Sequence, residues 1–290
     1  MHADNIPIQE GEPLSKFVEA GRPEWNFART MGHDVCWPQP AFLPPDDHAN
    51  PGVGVKPWPR TNQDACPNTG GGFPTYWVAK KCSDDEIRVS YTLYIPNSCF
   101  IGCAHGDEFT DEYGRHDFEG VVVVWRRDGT DWTRSSLLLS QHADYQERAW
   151  PEAESWYLDW SSAGLGRNHP RIFVGWGSHA MFNDQEVSCK DIASQGNGNE
   201  YRNAHYSHHD YVLREVTETN DLGKRFQGAL DDDKLGGEGL RGNPLLLTRS
   251  ICGLEGSASP LFSTPGGASC FVGCLNSSAH CCMQILRCAT

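Results

Sequence analysis

The stretch Tyr113-Gly-Arg-His-Asp-Phe-Glu-Gly-Val-Val-Val-Val-Trp125 sets a group of ionisable side chains directly against the most apolar run of the chain. Asp117 and Glu119 are two residues apart. On an extended backbone that begins at Arg115 they share one face, with His116 and Phe118 on the other. Two carboxylates that close repel and shift each other's ionisation unless a cation or an Arg lies between them. Paired oxygen ligands of this kind suit a hard divalent ion such as Mg2+ or Ca2+. The same spacing fits an ordinary solvated strand end whose acids pair with Arg115 and Arg126. It also fits a third use, metal-assisted hydrolysis with a cation lowering the pKa of bound water, or general acid and base chemistry.

The elements that would hold these residues are strands. Gly120 to Trp125 is short, β-branched and continuously apolar, the pattern of a strand buried on both faces. In the run from Glu86 to Ile95, Ile87, Val89, Tyr91, Leu93 and Ile95 share one face and Arg88, Ser90 and Thr92 the other, which predicts a half-buried strand. Thr75 to Lys80, Ser135 to Ser140 and Pro170 to Trp176 predict three more. Short strands separated by polar loops point to a mostly β protein, a single sandwich rather than a βαβ fold. Leu14, Phe17 and Val18 have helical spacing. So do residues 207–227, with Val212, Leu213 and Val216 on one face. The Pro- and Gly-rich region from Cys36 to Arg60 reads as a long loop.

Composition narrows the classes of function. The 290 residues, 38% hydrophobic and with ten Trp, suffice for a sizeable core. A net charge of −14 argues against nucleic-acid binding and against simple electrostatic docking on anionic lipid, while leaving a neutral headgroup or a glycan open. Twelve Cys without the two-plus-two C-x-x-C spacing of a zinc site imply an oxidising compartment and disulfides. No apolar run approaches the roughly 18 residues of a membrane span. Met1-His-Ala-Asp lacks the apolar core of a signal peptide, so the expected secreted, extracellular location implies a signal that has been removed or that lies before Met1.

Two regions stand apart. His205, His208, His209 and Asp210 offer imidazole and carboxylate for a second metal site, or form a polar loop before a helix. After about Leu235 the composition changes, which predicts a body over residues 1–235 and a Cys-rich tail over 236–290 without an assignable fold. Six of the twelve Cys lie between Cys252 and Thr290, beside the one N-x-S/T sequon at Asn276. Cys270 to Cys288 read as a disulfide knot, a metal cluster or unpaired sequence.

Together, these segments resemble the necrosis- and ethylene-inducing peptide-like proteins (NLPs). These are secreted cytolysins of fungi, oomycetes and bacteria that act on plants as toxins and virulence effectors. The family heptapeptide Gly-His-Arg-His-Asp-Trp-Glu, followed by an apolar strand ending in Trp, is similar to Tyr113-Gly-Arg-His-Asp-Phe-Glu119 and the run from Val121 to Trp125. Cys36-Trp-Pro-Gln-Pro-Ala resembles the segment holding the family's first disulfide Cys, and Cys66 stands where its partner is expected. Ile87 to Pro96 resembles the strand ending in Tyr-Phe-Pro, Ser140-Gln-His-Ala-Asp-Tyr145 the Ser-x-His-x-x-Tyr segment, and Trp176 to Ala180 the Trp-containing loop with its His-Ala. The likeness covers roughly residues 5–230.

The resemblance implies a single β-sandwich with flanking helices, similar to actinoporins and mushroom lectins, and no catalytic chemistry. It implies binding to glycosyl inositol phosphoryl ceramide sphingolipids of the plant outer leaflet, a divalent cation (Mg2+ or Ca2+) at the heptapeptide, and membrane damage. Plant immune receptors are further implied partners. On that pattern Asp117 and Glu119 match the cation-site acids, with Asp107 and His179 completing the set. The heptapeptide positions are Gly114, Arg115, His116, Asp117, Phe118 and Glu119. Trp176, His179 and His142 are the implied sugar- and lipid-facing residues, although Trp176 also suits a sandwich core and His142 a strand end. His116 suits a hydrogen-bonded structural role. The chain departs from the family where Gly114 replaces the first His, Phe118 replaces Trp, and Ser98 stands where an Asp is expected. Asp107 or Asp111 in the following insertion offers a substitute carboxylate, and His105 an imidazole. Trp176 lies one residue nearer to His179 than in the family. A lectin-like binder that no longer lyses is the second reading, and a metal-dependent hydrolase the third.

Overall fold

The computed structural model describes residues 7–29, 37–43, 48–50, 52, 72–96, 117–141, 144–156, 168–175, 179–184, 200–201, 211–231 and 243–257. Among them the chain runs β1 (Ile8–Gln9), α1 (Leu14–Gly21), β2 (Glu24–Arg29), β3 (Phe42–Leu43), β4 (His48–Ala49), β5 (Phe73–Ser83), β6 (Glu86–Ile95) and β7 (Asp117–Asp128). It continues through β8 (Asp131–Gln141), β9 (Asp144–Ala149), β10 (Ser155–Trp156), β11 (His169–Val174), β12 (Met181–Phe182), β13 (Glu200–Tyr201) and β14 (Tyr211–Glu215). Helices α2 (Asp221–Asp231) and α3 (Pro244–Ser250) and strand β15 (Gly256–Ser257) complete it.

The Val-rich run predicted as a doubly buried strand is the middle of β7, near the centre of the larger sheet, whose order is β14-β5-β6-β7-β8-β9-β15 with β1 added to β8. β5 to β9 are antiparallel neighbours in chain order, and β14 and β15 join the two edges in parallel. The smaller sheet has the order β10-β11-β2-β13, with β12 added to β11. The molecule is a mostly β, sandwich-like fold, as the strand pattern predicted, with the flanking helices that the resemblance implied.

The two-residue period of β7 sorts its side chains into two cores. Val121, Val123 and Trp125 join Val89, Tyr91 and Leu93 of β6, Phe17 of α1, Trp25 of β2, and Ile172 and Val174 of β11. That core lies between the sheets. Phe118, Val122 and Val124 face the other way with Tyr94 and Leu138, under Phe226 of α2 and Leu245 and Leu247 of α3. These helices change the reading of β6, which was predicted half-buried. Ser90 and Thr92 are buried and lie 3.3 Å apart through their hydroxyls. Alternation in β6 separates two covered faces, not core from water.

Helix α1 closes one side of the inter-sheet core with Phe17 and Val18. Tyr91 donates its hydroxyl to Val18 O (2.6 Å), and Arg134 donates Nη2 to Ala20 O (2.5 Å) at the helix end. The Arg134 guanidinium lies over the rings of Trp125 (4.3 Å) and Trp150 (5.1 Å), and its burial pulls its pKa down to about 9.

Two expectations are corrected. The helix predicted over 207–227 is, from Tyr211 to Glu215, the edge strand β14 paired with Phe73–Trp77, and a helix begins only at Asp221. Tyr211 is buried and Val212 is 64% exposed, a two-residue period that the three-residue spacing of Leu213 and Val216 disguised. Residues 243–257, expected in an unassigned tail, pack on the larger sheet. Asn243 caps α3 by accepting from Leu245 N, Leu245 and Leu247 are buried, and Cys252 forms a disulfide with Cys82 across 170 residues. The implied Cys36–Cys66 pair lies outside the described residues.

Candidate functional site

Near Asp117 the two halves of the sandwich meet. Residues Asp117 to Gly120 of β7 pair with Ile95 to Thr92 of β6. On the other side the ladder to β8 begins only at Val121 opposite Leu139. Here the Ser140 side chain takes over a rung, its Oγ lying 2.8 Å from both Gly120 N, from which it accepts, and Gly120 O, to which it donates. Only Gly fits at 120, because a Cβ would stand 2.2 Å from Tyr91 O.

Asp117 and Glu119 project from the same face of this segment, as the spacing predicted, and Phe118 turns away into the second core. Asp117 Oδ2 lies 2.8 Å from Nδ1 of His179, with the imidazole almost wholly buried and the carboxylate 13% exposed. His179 comes from the second sheet, between β11 and β12. Gly175 N donates to Ala180 O (2.9 Å) there, and His179 takes a left-handed φ of 54°. That region costs a non-Gly residue on the order of 1 kcal/mol, and such residues gather at functional sites. Its Nε2 is buried and makes no hydrogen bond among the described residues.

Glu119 is buried and touches Ser140 Oγ through Oε2. Burial first, and then the neighbouring Asp117 charge, push its carboxyl well above the usual Glu range, against a smaller pull downward from Ser140. Ser140 has one proton for two acceptors, Gly120 O and Glu119 Oε2. A neutral Glu119, which brings its own proton, fits that arrangement. Among the described residues no Lys or Arg pairs with Asp117 or Glu119; Arg126, one predicted partner, pairs with Glu86 at the opposite end of β7.

The donor types suit a hard cation in part. Asp117 offers carboxylate oxygen at a partly open position, and Nε2 of His179 is a buried polar atom with no hydrogen-bond partner among the described residues. Among the described residues, however, no three His, Cys, Asp or Glu side chains gather closely enough to hold a metal ion. Asp107, Gly114, Arg115, His116, His142 and Trp176 lie outside the described residues, as do the His205–Asp210 cluster and Cys270 to Cys288. Sequence reasoning gave no role to Ser140, Gln141 or Gly120. Their one signal is the break from Leu137-Leu-Leu139 to polar Ser140-Gln141 at a strand end.

No family model matches the chain, and no curated protein matches it. Two solved structures overlap with it. One, described as "NLPPya in complex with mannosamine", is 15% identical with a TM-score of 0.37, covering 73% of this chain and 78% of that one. The other, described as "Toxin fold for microbial attack and plant defense", is 16% identical with a TM-score of 0.36, covering 73% and 81%. Overlap at this level transfers neither a ligand nor a site residue to this chain.

Proposed function

We propose that this chain is a divergent NLP-like binding protein, secreted and toxin-like, that takes a glycan headgroup of a plant outer-leaflet sphingolipid at the Asp117 end of β7 and then damages the membrane. The observation that carries the reading is the Asp117–His179 contact, which joins the two sheets beside a second, buried acid with no Lys or Arg partner among the described residues. Acids left without cationic compensation at the rim of a core cost stability, and groups perturbed in this way gather where a ligand supplies the missing charge. In this proposal a divalent cation, Mg2+ or Ca2+, is that charge. Asp117 would hold it, oriented by His179 Nδ1, with Glu119 behind it releasing its proton as the cation arrives.

The proposed activity is binding rather than turnover. Among the described residues no helix is long and apolar enough to cross a membrane. Dye release from vesicles containing glycosyl inositol phosphoryl ceramide tests the proposal. Cation-dependent leakage is expected. Binding without leakage favours the lectin-like reading, product formation from intact lipid favours a hydrolase, and no binding at all overturns the assignment.

A further inference from the structure

We infer that Gln141 is the positioning residue that sets His179 against Asp117. Gln141 ends β8, next to Ser140, and its side chain is buried. By the strand period, Ser140 and Gln141 leave the backbone in opposite directions. Ser140 holds Gly120 and Glu119 within the larger sheet, and Gln141 reaches across to the smaller one. Its Nε2 donates to Met181 O at 2.9 Å, and also to Gln146 Oε1 at 2.9 Å. Gln146 belongs to β9, where it stands opposite Leu139. The amide is therefore anchored in the larger sheet while it grips the first residue of β12.

Met181 is two residues past His179. Its strand has two residues, paired with Val174 and Phe173 of β11, and the adjoining segment is closed by Gly175 N donating to Ala180 O. So short a pairing fixes the height of β12 above the larger sheet weakly, because each added rung is one hydrogen bond of modest net strength. His179 must nevertheless hold a left-handed backbone and a 2.8 Å contact to a residue of the other sheet. Among the described residues, the Gln141 amide is the polar bridge that ties β12 to the sheet from which Asp117 projects. Without it, Met181 O is left in the core with no donor from β8, and the chain at His179 is free to relax toward ordinary φ values.

The consequence for binding rests on the function proposed above, but the test reads the Asp117–His179 contact with no cation or sugar present, so the two fail separately. In 15N-labelled full-length protein, the His179 ring proton on Nδ1 is identified by its loss in His179→Gln, and its exchange with solvent is measured. Gln141→Met keeps length and apolar volume and removes the donor. It is expected to accelerate that exchange by about tenfold or to erase the resonance, while the indole signals of Trp25 and Trp125 stay dispersed. A role in general stability alone lowers the unfolding midpoint and leaves the ring proton as it was. An unchanged His179 resonance in folded Gln141→Met overturns the inference. Should that variant fail to fold, Gln146→Met loosens the same amide from its other anchor. Faster ring-proton exchange is then expected, and an unchanged rate overturns the proposal.

Discussion

The two ends of the β6–β7 pair each hold a buried glutamate, and they treat it in opposite ways. At the far end Glu86, paired opposite Arg126, accepts from Arg88 Nε at 2.6 Å and from Arg126 Nη2 at 2.5 Å. Arg88 also donates Nη1 to Ile251 O (3.0 Å) and Leu254 O (2.5 Å), and the Cys82–Cys252 disulfide closes the same corner. Glu86, Arg88 and Arg126 all have partners there. At the near end, among the described residues, Glu119 meets only a hydroxyl and the neighbouring Asp117 carboxylate, and Asp117 has an imidazole. One sheet carries both arrangements, so the difference does not come from fold class. A compensated acid locks the corner, and in the proposed function an uncompensated one is completed by a cation from outside.

The largest expected effect is at the locked end. Replacing both cysteines (Cys82→Ser with Cys252→Ser) releases a constraint spanning 170 residues. In the chain-entropy model that costs about 4–5 kcal/mol, read as a lower urea midpoint. Cation titration at the near end is expected to be unchanged in whatever fraction remains folded. Glu86→Ala strands the largely buried Arg88 and removes the partner of Arg126, which is 53% exposed and so contributes less. A loss of about 2–3 kcal/mol is expected in chemical denaturation. Comparable stability in this variant and the wild type would dissolve the contrast between the ends.

Glu119→Gln is expected to act with the opposite sign. The folded-state pKa of Glu119 is raised, so above the ordinary value of about 4.5 the unfolded chain gives up a proton that the folded chain keeps. Stability from this group is fully present below that value and falls as pH rises toward the folded-state pKa. Glutamine cannot ionise. The variant should therefore be more stable than the wild type at pH 7, with the difference closing near pH 4, while binding cations less well. Thermal unfolding across pH 4–8 checks this, and a destabilised Gln variant at pH 7 would mean that Glu119 is ionised and compensated after all.

How much of this was readable in the sequence follows from what sequence periods encode. The shared face of Asp117 and Glu119, the burial of the Val-rich run and the placing of Phe118 on the opposite face all depend on one strand's own alternation, and the structure keeps them. The partner of Asp117 comes from a chain segment 62 residues away. His179 was reached only through a family resemblance, since neither its left-handed backbone nor its neighbour is a local property. The Cys82–Cys252 pair could not be chosen among twelve cysteines, because spacing does not determine connectivity. Strand β14 was mistaken for a helix because Val212, Leu213 and Val216 fit a helical period by coincidence, while its identity is set by pairing with β5. Ser140 and Gln141 looked like an ordinary polar strand end. Their roles exist only where β7 and β8 part and the second sheet comes within reach.

The most direct test of the near end as a binding site is calorimetric titration of Mg2+ and of Ca2+ into the wild-type chain and into Asp117→Ala. A saturable heat with at least one of the ions in the wild type, abolished in a variant that keeps its circular dichroism and unfolding midpoint, is the predicted result. Identical titrations of the two proteins would contradict the account.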